Sequence, residues 1–240
     1  MRHWLHKAIA LLVAAVLVAL PLMAAVTFGS EAHNDSASAT TLTITVTINS
    51  GDDVAVLFTG SGATTAITSV LDNNAQAYTS LGVVGDNVTV AKVWAYGKID
   101  APAATSIVIT FDQAAISNGV VMIYAGATAF GNTGSNTSTS STNPTLSVVT
   151  QDNDNFVASM FADLAGGGTH TAQTGTIRVN AFNSNQASRI LTAVDNTSAS
   201  PASVTCSFTT GSAVNYAGLG VELRAQAAAS VRQRRVIRFQ

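Results

Sequence analysis

Apolar and polar residues alternate over many short segments of this chain. Residues 41–48 read Thr-Leu-Thr-Ile-Thr-Val-Thr-Ile, and residues 106–111 read Ser-Ile-Val-Ile-Thr-Phe. Successive side chains of a β-strand point to opposite faces, so each segment can bury one face and expose the other. The pattern therefore predicts strands that each cover one side of an apolar core.

The stretch 88–124 carries three predicted strands, at 88–96, 106–111 and 120–124. The linkers between them are too short for a packed crossover helix, so neighbouring strands are predicted to run antiparallel. Residues 30–40 are polar and are predicted to form a turn. Residues 73–74 are predicted to be the turn of a hairpin between strands 67–72 and 78–83. Further strands are predicted at 25–29, 41–48, 54–59, 67–72, 78–83, 145–149, 156–162, 176–182, 188–194, 202–209 and 217–224.

Strands spaced about ten residues apart, with turns between them, are typical of sandwiches and jelly rolls. We therefore predict an all-β fold: an antiparallel two-sheet β-sandwich, jelly-roll-like, spanning residues 26–224. Residues 126–144 are rich in Gly, Ser, Thr and Asn, which predicts a long exposed loop or a linker that subdivides the domain. No strict internal repeat is visible in the sequence.

Both ends of the chain differ from this body. Residues 1–25 combine a basic start, an apolar run and small residues, which predicts a hydrophobic helix that is either a cleaved signal peptide or a membrane anchor. Residues 225–240 form a basic tail with four arginines, predicted either to dock on an anionic partner or to stay solvated. The leader predicts an extracellular, cell-surface or virion-surface location.

Charged residues make up only 10% of the chain, so Thr, Ser and Asn must solvate most of the surface. Residues 26–224 contain five basic and thirteen acidic residues, a formal charge of −8. Because phosphate binding needs a basic surface, this acidic body argues against a nucleic-acid partner. The single cysteine, Cys206, excludes an intrachain disulfide and alternates with apolar residues, which predicts a buried position.

Calcium is the best-supported small ligand in the sequence. Asp52, Asp53, Asp152 and Asp154 place hard oxygen ligands on predicted turns. The alternative is that these side chains cap the turns by bonding to the nearby backbone. No other cofactor is predicted.

Trp94 and Tyr96 are candidate sugar-binding residues, because a pair of aromatic rings on one strand face can stack on a glycan. Period-two placement also puts both rings on a face with Val88 and Val90, which favours core packing. Both interpretations remain open at this stage.

Catalysis has little support in the sequence. His33 and His170 lie in separate polar segments without metal-ligand spacing, and no nucleophile elbow or phosphate-binding glycine loop is present. A hydrolase would have to be assembled from aspartates. We therefore predict that the protein is not an enzyme.

Five segments carry a resemblance in style to a group of known proteins: 41–48, 93–96, 106–111, 120–126 and 152–160. With them the chain resembles the uncharacterised Thr/Ser-rich, jelly-roll-like β-sandwich proteins of bacterial secretomes and phage genomes. The resemblance implies surface display, structural packing or adhesion, and it transfers no functional residue.

The sequence thus predicts a non-catalytic, exported structural or adhesive surface subunit of a cell envelope or phage particle. Its partners would be further copies of itself or an assembly partner, with surface glycans as an additional candidate and the membrane reached only through an uncleaved leader. A carbohydrate-binding module is the alternative function, and an aspartate-based hydrolase is the second alternative.

Overall fold

The computed structural model describes residues 25–60, 66–85, 92–163, 170–182 and 190–225. The predicted leader helix and most of the basic tail lie outside these residues. The described residues form strands joined by turns, and they include no helix long and apolar enough to cross a membrane. Residues 25–227 group into one compact unit.

The strands, in chain order, are β1 (Thr27–Ile48), β2 (Asp52–Gly60), β3 (Ile67–Asp72), β4 (Thr79–Val84), β5 (Lys92–Ala101), β6 (Ala104–Ala125), β7 (Ala127–Ser141), β8 (Thr145–Val149), β9 (Asn155–Asp163), β10 (Thr171–Thr174), β11 (Thr176–Phe182), β12 (Ile190–Ser198), β13 (Ser203–Thr209) and β14 (Val214–Ala225). All pairs of neighbouring strands are antiparallel, as predicted. The all-β class is therefore confirmed.

The chain contains the same strand arrangement twice. In the first repeat, β1 to β6, all six strands belong to one hydrogen-bonded sheet; five of them have the order β1-β6-β2-β5-β4, here called the five-stranded sheet, and β3 pairs with β6 outside it. In the second, β7 to β14, the order is β7-β14-β9-β12-β11. If β1 is matched with β7, β2 with β9, β4 with β11, β5 with β12 and β6 with β14, the two sheets have the same strand order and the same connections. The repeat that the sequence does not reveal is therefore present in the topology.

Each repeat also has a smaller outer layer of three strands. In the first, the far ends of β1 and β6 bend over their own sheet and pair with each other, and β3 joins β6. In the second, β8, β13 and β10 make the same layer as a separate sheet of order β10-β13-β8. Thus β1 corresponds to β7 plus β8, and β6 corresponds to β13 plus β14.

An aromatic pair occupies equivalent positions inside the two repeats. Phe58 of β2 meets Phe111 edge to face, with ring centroids 6.1 Å apart and planes at 81°. Phe161 of β9 meets Phe208 in the same way, at 5.1 Å and 86°. Each pair joins the five-stranded sheet to its outer layer, in two separate cores. The duplication therefore extends to side-chain packing.

The corners at which the first strand of each repeat changes layer are also equivalent. The Asn34 side-chain amide donates to the Thr43 carbonyl, nine residues later, at 2.7 Å. The Asn136 side-chain amide donates to the Thr145 carbonyl, again nine residues later, at 2.9 Å. These bonds satisfy a carbonyl where the strand bends, and the bend carries the chain from one layer to the other.

The two repeats pack through their five-stranded sheets. Strand β2 contacts β9, β6 contacts β12, β5 contacts β14, and the outer strand pairs are β1 with β11 and β4 with β7. Exchanging the repeats reproduces these five pairs, so the packing resembles that of a two-fold symmetric dimer within one chain. The contacts of β5 with β7 and β9, and of β4 with β14, are more extensive than the equivalent ones, so the symmetry is approximate. A third core fills this interface, and its large side chains include Leu57, Met122, Tyr124, Met160 and Leu223.

Several sequence predictions need correction. Residues 30–40 and 112–119 are not turns or linkers but parts of the 22-residue strands β1 and β6. Residues 126–144 are not a loop, because most of them form β7, an edge strand paired with β14. Strands β3 and β4 do not form one hairpin but join different layers. The predicted pair of sheets is replaced by three hydrogen-bonded sheets with three cores between their layers.

The two corners predict a matched pair of substitutions. We expect Asn34→Ala and Asn136→Ala each to lower the free energy of unfolding by about 1 kcal/mol, because each removes the side-chain hydrogen bond that spans its corner. Urea unfolding of the two variants and of the double variant measures this, and the two losses should add because the corners are distant. Asn153→Ala, at an exposed turn position, is the control. A loss at one corner only would contradict their equivalence.

Candidate functional site

The interface between the two five-stranded sheets is open at two edges. Three residues at one edge occupy positions equivalent to three residues at the other, but the two sets differ in chemistry. At the edge formed by β4 and β7 the set is apolar: Leu81, Gly97 and Phe130. A Cβ atom placed on Gly97 would lie 2.3 Å from the Phe130 ring and 2.9 Å from Leu81, so only glycine allows this contact. The ring therefore rests directly on the backbone of β5, and the two sheets lie close together here.

The strand register identifies the equivalent positions at the other edge, formed by β1 and β11. Leu81 and Arg178 each lie at the register shift of the strand that ends its sheet. Gly97 and Asp195 each pair with an alanine at the centre of the interface, on β2 and β9 respectively. Phe28 takes the place of Phe130. The same three positions are thus apolar at one edge and carry an ion pair at the other.

The ion pair lies between the two repeats. Arg178 Nε donates to Asp195 Oδ2 at 2.8 Å, and the guanidinium carbon lies 3.7 Å from the centre of the Phe28 ring. Phe28 in turn meets Tyr124 edge to face at 5.6 Å. Arg178 is about a quarter exposed, whereas Asp195 is almost completely buried. The guanidinium is thus held between an aromatic ring and a carboxylate, a favourable arrangement for a cation.

Burial decides the electrostatics of this edge. It raises the pKa of Asp195, although hydrogen bonding and charge from Arg178 act in the opposite direction. Burial also raises the pKa of Tyr124 well above its usual value. Placing two ions between sheets removes them from water, and this desolvation offsets much of their attraction. The apolar set at the other edge has no such penalty, so the charged set is not needed for packing alone.

A cleft opens beside the ion pair, between β1 and β6 on one side and β11 and β12 on the other. Its volume is about 50 Å³, roughly the space of one or two water molecules. Among the described residues, its walls are polar along β1 and β6 and apolar on the facing sheet. The described lining residues are His33, Asn34, Asp35, Asn118, Gly119, Ala181 and Leu191.

Three titratable side chains of β1 share the face that looks towards this cleft. Glu31, His33 and Asp35 occupy alternate positions in a regular stretch of the β1–β6 ladder. Glu31 and His33 are exposed, and Asp35 is half-buried. Asp195 and Arg178 lie on the same side of the interface, so the described part of this edge concentrates titratable side chains.

Trp94 and Tyr96, the predicted glycan-stacking residues, lie between the first five-stranded sheet and its outer layer. Trp94 is only 7% exposed and stacks on Phe58 at 5.7 Å, with the planes 16° apart. Tyr96 is half-buried, and its ring lies 5.8 Å from Phe58. This arrangement is core packing, which was the alternative interpretation from the sequence. The Trp94 ring has little exposed surface on which a sugar could stack.

Asp52 and Asp53, two of the predicted calcium ligands, accept backbone hydrogen bonds. Asp52 Oδ2 accepts from the Asn49 amide at 2.7 Å, within the β1–β2 turn. Asp53 is buried, and its two oxygens accept from the amides of Ala127 at 2.7 Å and Asp100 at 3.2 Å. Burial raises the pKa of Asp53. This carboxylate fixes the junction between the two repeats.

Asp152 and Asp154 precede β9. Asp152 Oδ2 accepts from Arg224 Nε at 2.7 Å, and Asp154 adopts a positive φ of 57° in its turn. Within the described part of the chain, no three His, Cys, Asp or Glu side chains group closely enough to hold a metal ion.

A buried polar group at the end of β9 was not foreseen from the sequence, which placed His170 in a polar loop. His170 Nδ1 lies 2.6 Å from Thr192 Oγ1, Nε2 lies 3.4 Å from Asp163 Oδ2, and the ring stacks on Phe208. Burial lowers the pKa of His170. The order of hydroxyl, imidazole and carboxylate is suited to proton transfer, but Thr192 is completely buried. The group therefore ties β9, β12 and β13 together.

Glu222 and Cys206 also have structural positions. The Glu222 carboxylate is fully buried and accepts from the amides of Asn132 and Gln151 and from the Asn155 side chain, which joins β7, β9 and β14. Cys206 is buried as predicted, and burial raises the pKa of its thiol to about 12.

Comparison of the chain with protein-family models, curated proteins and solved structures finds no match.

The difference between the two edges predicts an exchange experiment. We expect Arg178→Leu alone to lower the free energy of unfolding by about 2–4 kcal/mol, because it leaves Asp195 buried without its partner. Adding Asp195→Gly, which copies the apolar edge, should recover most of that loss. Guanidinium unfolding of both variants measures the difference.

The matched control is Leu81→Arg with Gly97→Asp at the apolar edge. This exchange should be strongly destabilising, because Phe130 occupies the space that a side chain at position 97 needs. If Arg178→Leu with Asp195→Gly is no more stable than Arg178→Leu alone, the equivalence of the two edges is refuted.

Proposed function

We propose that this protein is an exported structural or adhesive surface subunit, of a cell envelope or a phage particle, that associates with copies of itself. The observation that supports this best is the internal dimer. The two repeats pack their apolar sheet faces against each other. The strands at the ends of the sheets keep one side that pairs with no other described strand. Such edges are natural sites for the addition of a strand from a neighbouring molecule.

The finer fold supports the same proposal. We interpret each repeat as a jelly-roll-like sandwich, because its first and last strands lie side by side and each crosses from the large sheet to the small one. Jelly rolls are frequent in capsid and lectin domains. This likeness is one of architecture alone, and it raises the expectation of an assembly or binding role without assigning a residue.

The outer surface is consistent with a role at an exposed interface. Thr41, Thr43 and Thr45 are exposed on the outer layer of the first repeat, and Ser147 is exposed on that of the second. Short hydroxyl side chains lose little conformational entropy when a partner covers them. A surface of this kind can therefore enter a packed assembly at a low entropic penalty.

Self-association is the direct test of this proposal. We expect the full chain to form dimers or larger assemblies across the micromolar range, because several sheet edges pair with no other strand among the described residues. Size-exclusion chromatography with light scattering measures the mass, and negative-stain microscopy distinguishes particles from filaments. A variant with Thr110→Lys, on β6 between β1 and β3 rather than on an edge strand, controls for non-specific charge effects. A single monomeric mass at every concentration would refute the proposal.

A further inference from the structure

The two edges of the interface between the repeats differ in charge along whole strands. Strand β1 contains Glu31 and Asp35, and β11 contains Arg178, whereas β4 and β7 contain no charged residue. The outer sides of β4 and β7 pair with no described strand. Charged side chains normally keep an edge strand from pairing with another molecule. The two strands of the β4–β7 edge are without that protection.

One more pair of equivalent positions shows the same contrast. Val83 of β4 and Asn180 of β11 are each the second residue to pair after the register shift of their strand. Both side chains reach solvent, and Val83 is 57% exposed. An exposed amide bonds to water, whereas an exposed valine leaves apolar surface in water. With Leu81 in place of Arg178, β4 is therefore apolar at two positions where β11 is polar.

The apolar core between the repeats continues to the β4–β7 edge. Leu81, Val84 and Phe130 pack against this core but are only half-buried. At the opposite edge, the Arg178 guanidinium lies 3.7 Å from the centre of the Phe28 ring. A second molecule placed against β4 and β7 would complete the burial of the three half-buried side chains. The established interface can therefore extend into a neighbouring copy.

We propose that two copies of this chain join through β4, antiparallel and about a two-fold axis along the sheet normal, with Val83 of each copy opposite Val83 of the other. Val83 is the middle residue of Gly82–Val84, the stretch of β4 that follows its register shift. Because β7 contacts β4 across the interface, the same axis brings the β7 strands of the two copies side by side. The inference rests on the proposed self-association and names the surface that carries it.

The symmetry of the pairing supports a second copy as the occupant. A two-fold axis sets the strand at the contact against its own copy, so like charges on that strand would meet each other. An uncharged strand has no such repulsion, and valine packs well beside valine on neighbouring strands. The charged residues of β1 and β11 disfavour the same pairing at the other edge. They thereby have a role beyond stability, because assembly through one edge closes at two copies.

Lys92 is the cation that lies beside Val83. Both line an open groove of about 350 Å³, whose other described lining residues are Val84 and Gly85. Lys92 belongs to β5, one strand in from the edge, so its backbone and that of its copy would be three strand spacings apart, about 14 Å. Salt screens charges beyond about 8 Å, so the two lysines would repel each other weakly. The groove leaves room for the valine of the second copy.

Disulfide trapping tests the position of the axis. Cys206 is the one cysteine of the chain and is buried, so Val83→Cys adds an accessible thiol. Opposite residues of antiparallel strands have Cα atoms about 4.5–5.5 Å apart, within the range that a disulfide spans. The matched control is Val149→Cys, because Val149 is 62% exposed but lies on β8 in an outer layer. On a non-reducing gel after mild oxidation, Val83→Cys should give at least ten times as much covalent dimer as the control.

Opposite charges test the two-fold pairing. Val83→Lys alone and Val83→Glu alone should each be monomeric by light scattering, because each sets like charges against each other. An equimolar mixture of the two variants should dimerise, since the charges then attract. Asn180→Lys, at the equivalent position of the other edge, is the matched control and should associate as the parent chain does. Unchanged thermal unfolding confirms that the variants fold.

The outcomes separate the surface from the proposed function. If Val83→Lys associates as the unmodified chain does, the β4 surface is wrong while the proposed function stands. If Val83→Lys is monomeric but the mixture does not associate, or if the two cysteine variants cross-link equally, the two-fold pairing is overturned. If the unmodified chain stays monomeric and Val83→Cys does not cross-link, both the surface and the proposed function are wrong.

Discussion

The contact between the two five-stranded sheets is the constraint on which the rest of the structure depends. Its central strands, β2 and β9, are buried on both faces. Ala55 and Leu57 face the opposite repeat, while Val56 and Phe58 face the outer layer of their own. A single two-layer sandwich cannot cover both faces of such a strand. Two repeats, each with its own outer layer, satisfy this requirement and produce a stack of four layers.

The duplication also provides an internal standard against which each position can be judged. Equivalent aromatic pairs and equivalent asparagine corners show what each repeat needs in order to fold. Arg178 and Asp195 depart from that standard, because Leu81 and Gly97 fill the same positions without charge. Residues that break a local rule without improving packing are expected at functional or strained sites. The open, charged edge of β1 and β11 is therefore the part of the fold where a role beyond stability is best supported.

Alternation of apolar and polar residues predicted the strands that have one face in a core. It found residues 41–48 and 106–111, and it placed Ile107 and Ile109 on the buried face. It failed for the polar halves of β1 and β6 and for β7, because alternation reports burial rather than extended backbone. An edge strand with both faces partly solvated needs no apolar period. Its composition is then the same as that of a loop, and only pairing with β6 or β14 reveals it.

The site was less predictable than the fold, for a related reason. Trp94 and the turn aspartates were chosen because their chemistry suits a ligand, yet most have partners within the fold. Arg178 and Asp195 lie in strands without a recognisable motif. They stand out only when compared with Leu81 and Gly97, the residues at the equivalent positions of the other repeat. Those matches follow strand register, which bulges and loops of unequal length shift along the sequence. A spatial repeat with variable spacing leaves no period in the sequence, so the edge could be recognised only after the sheets were in place.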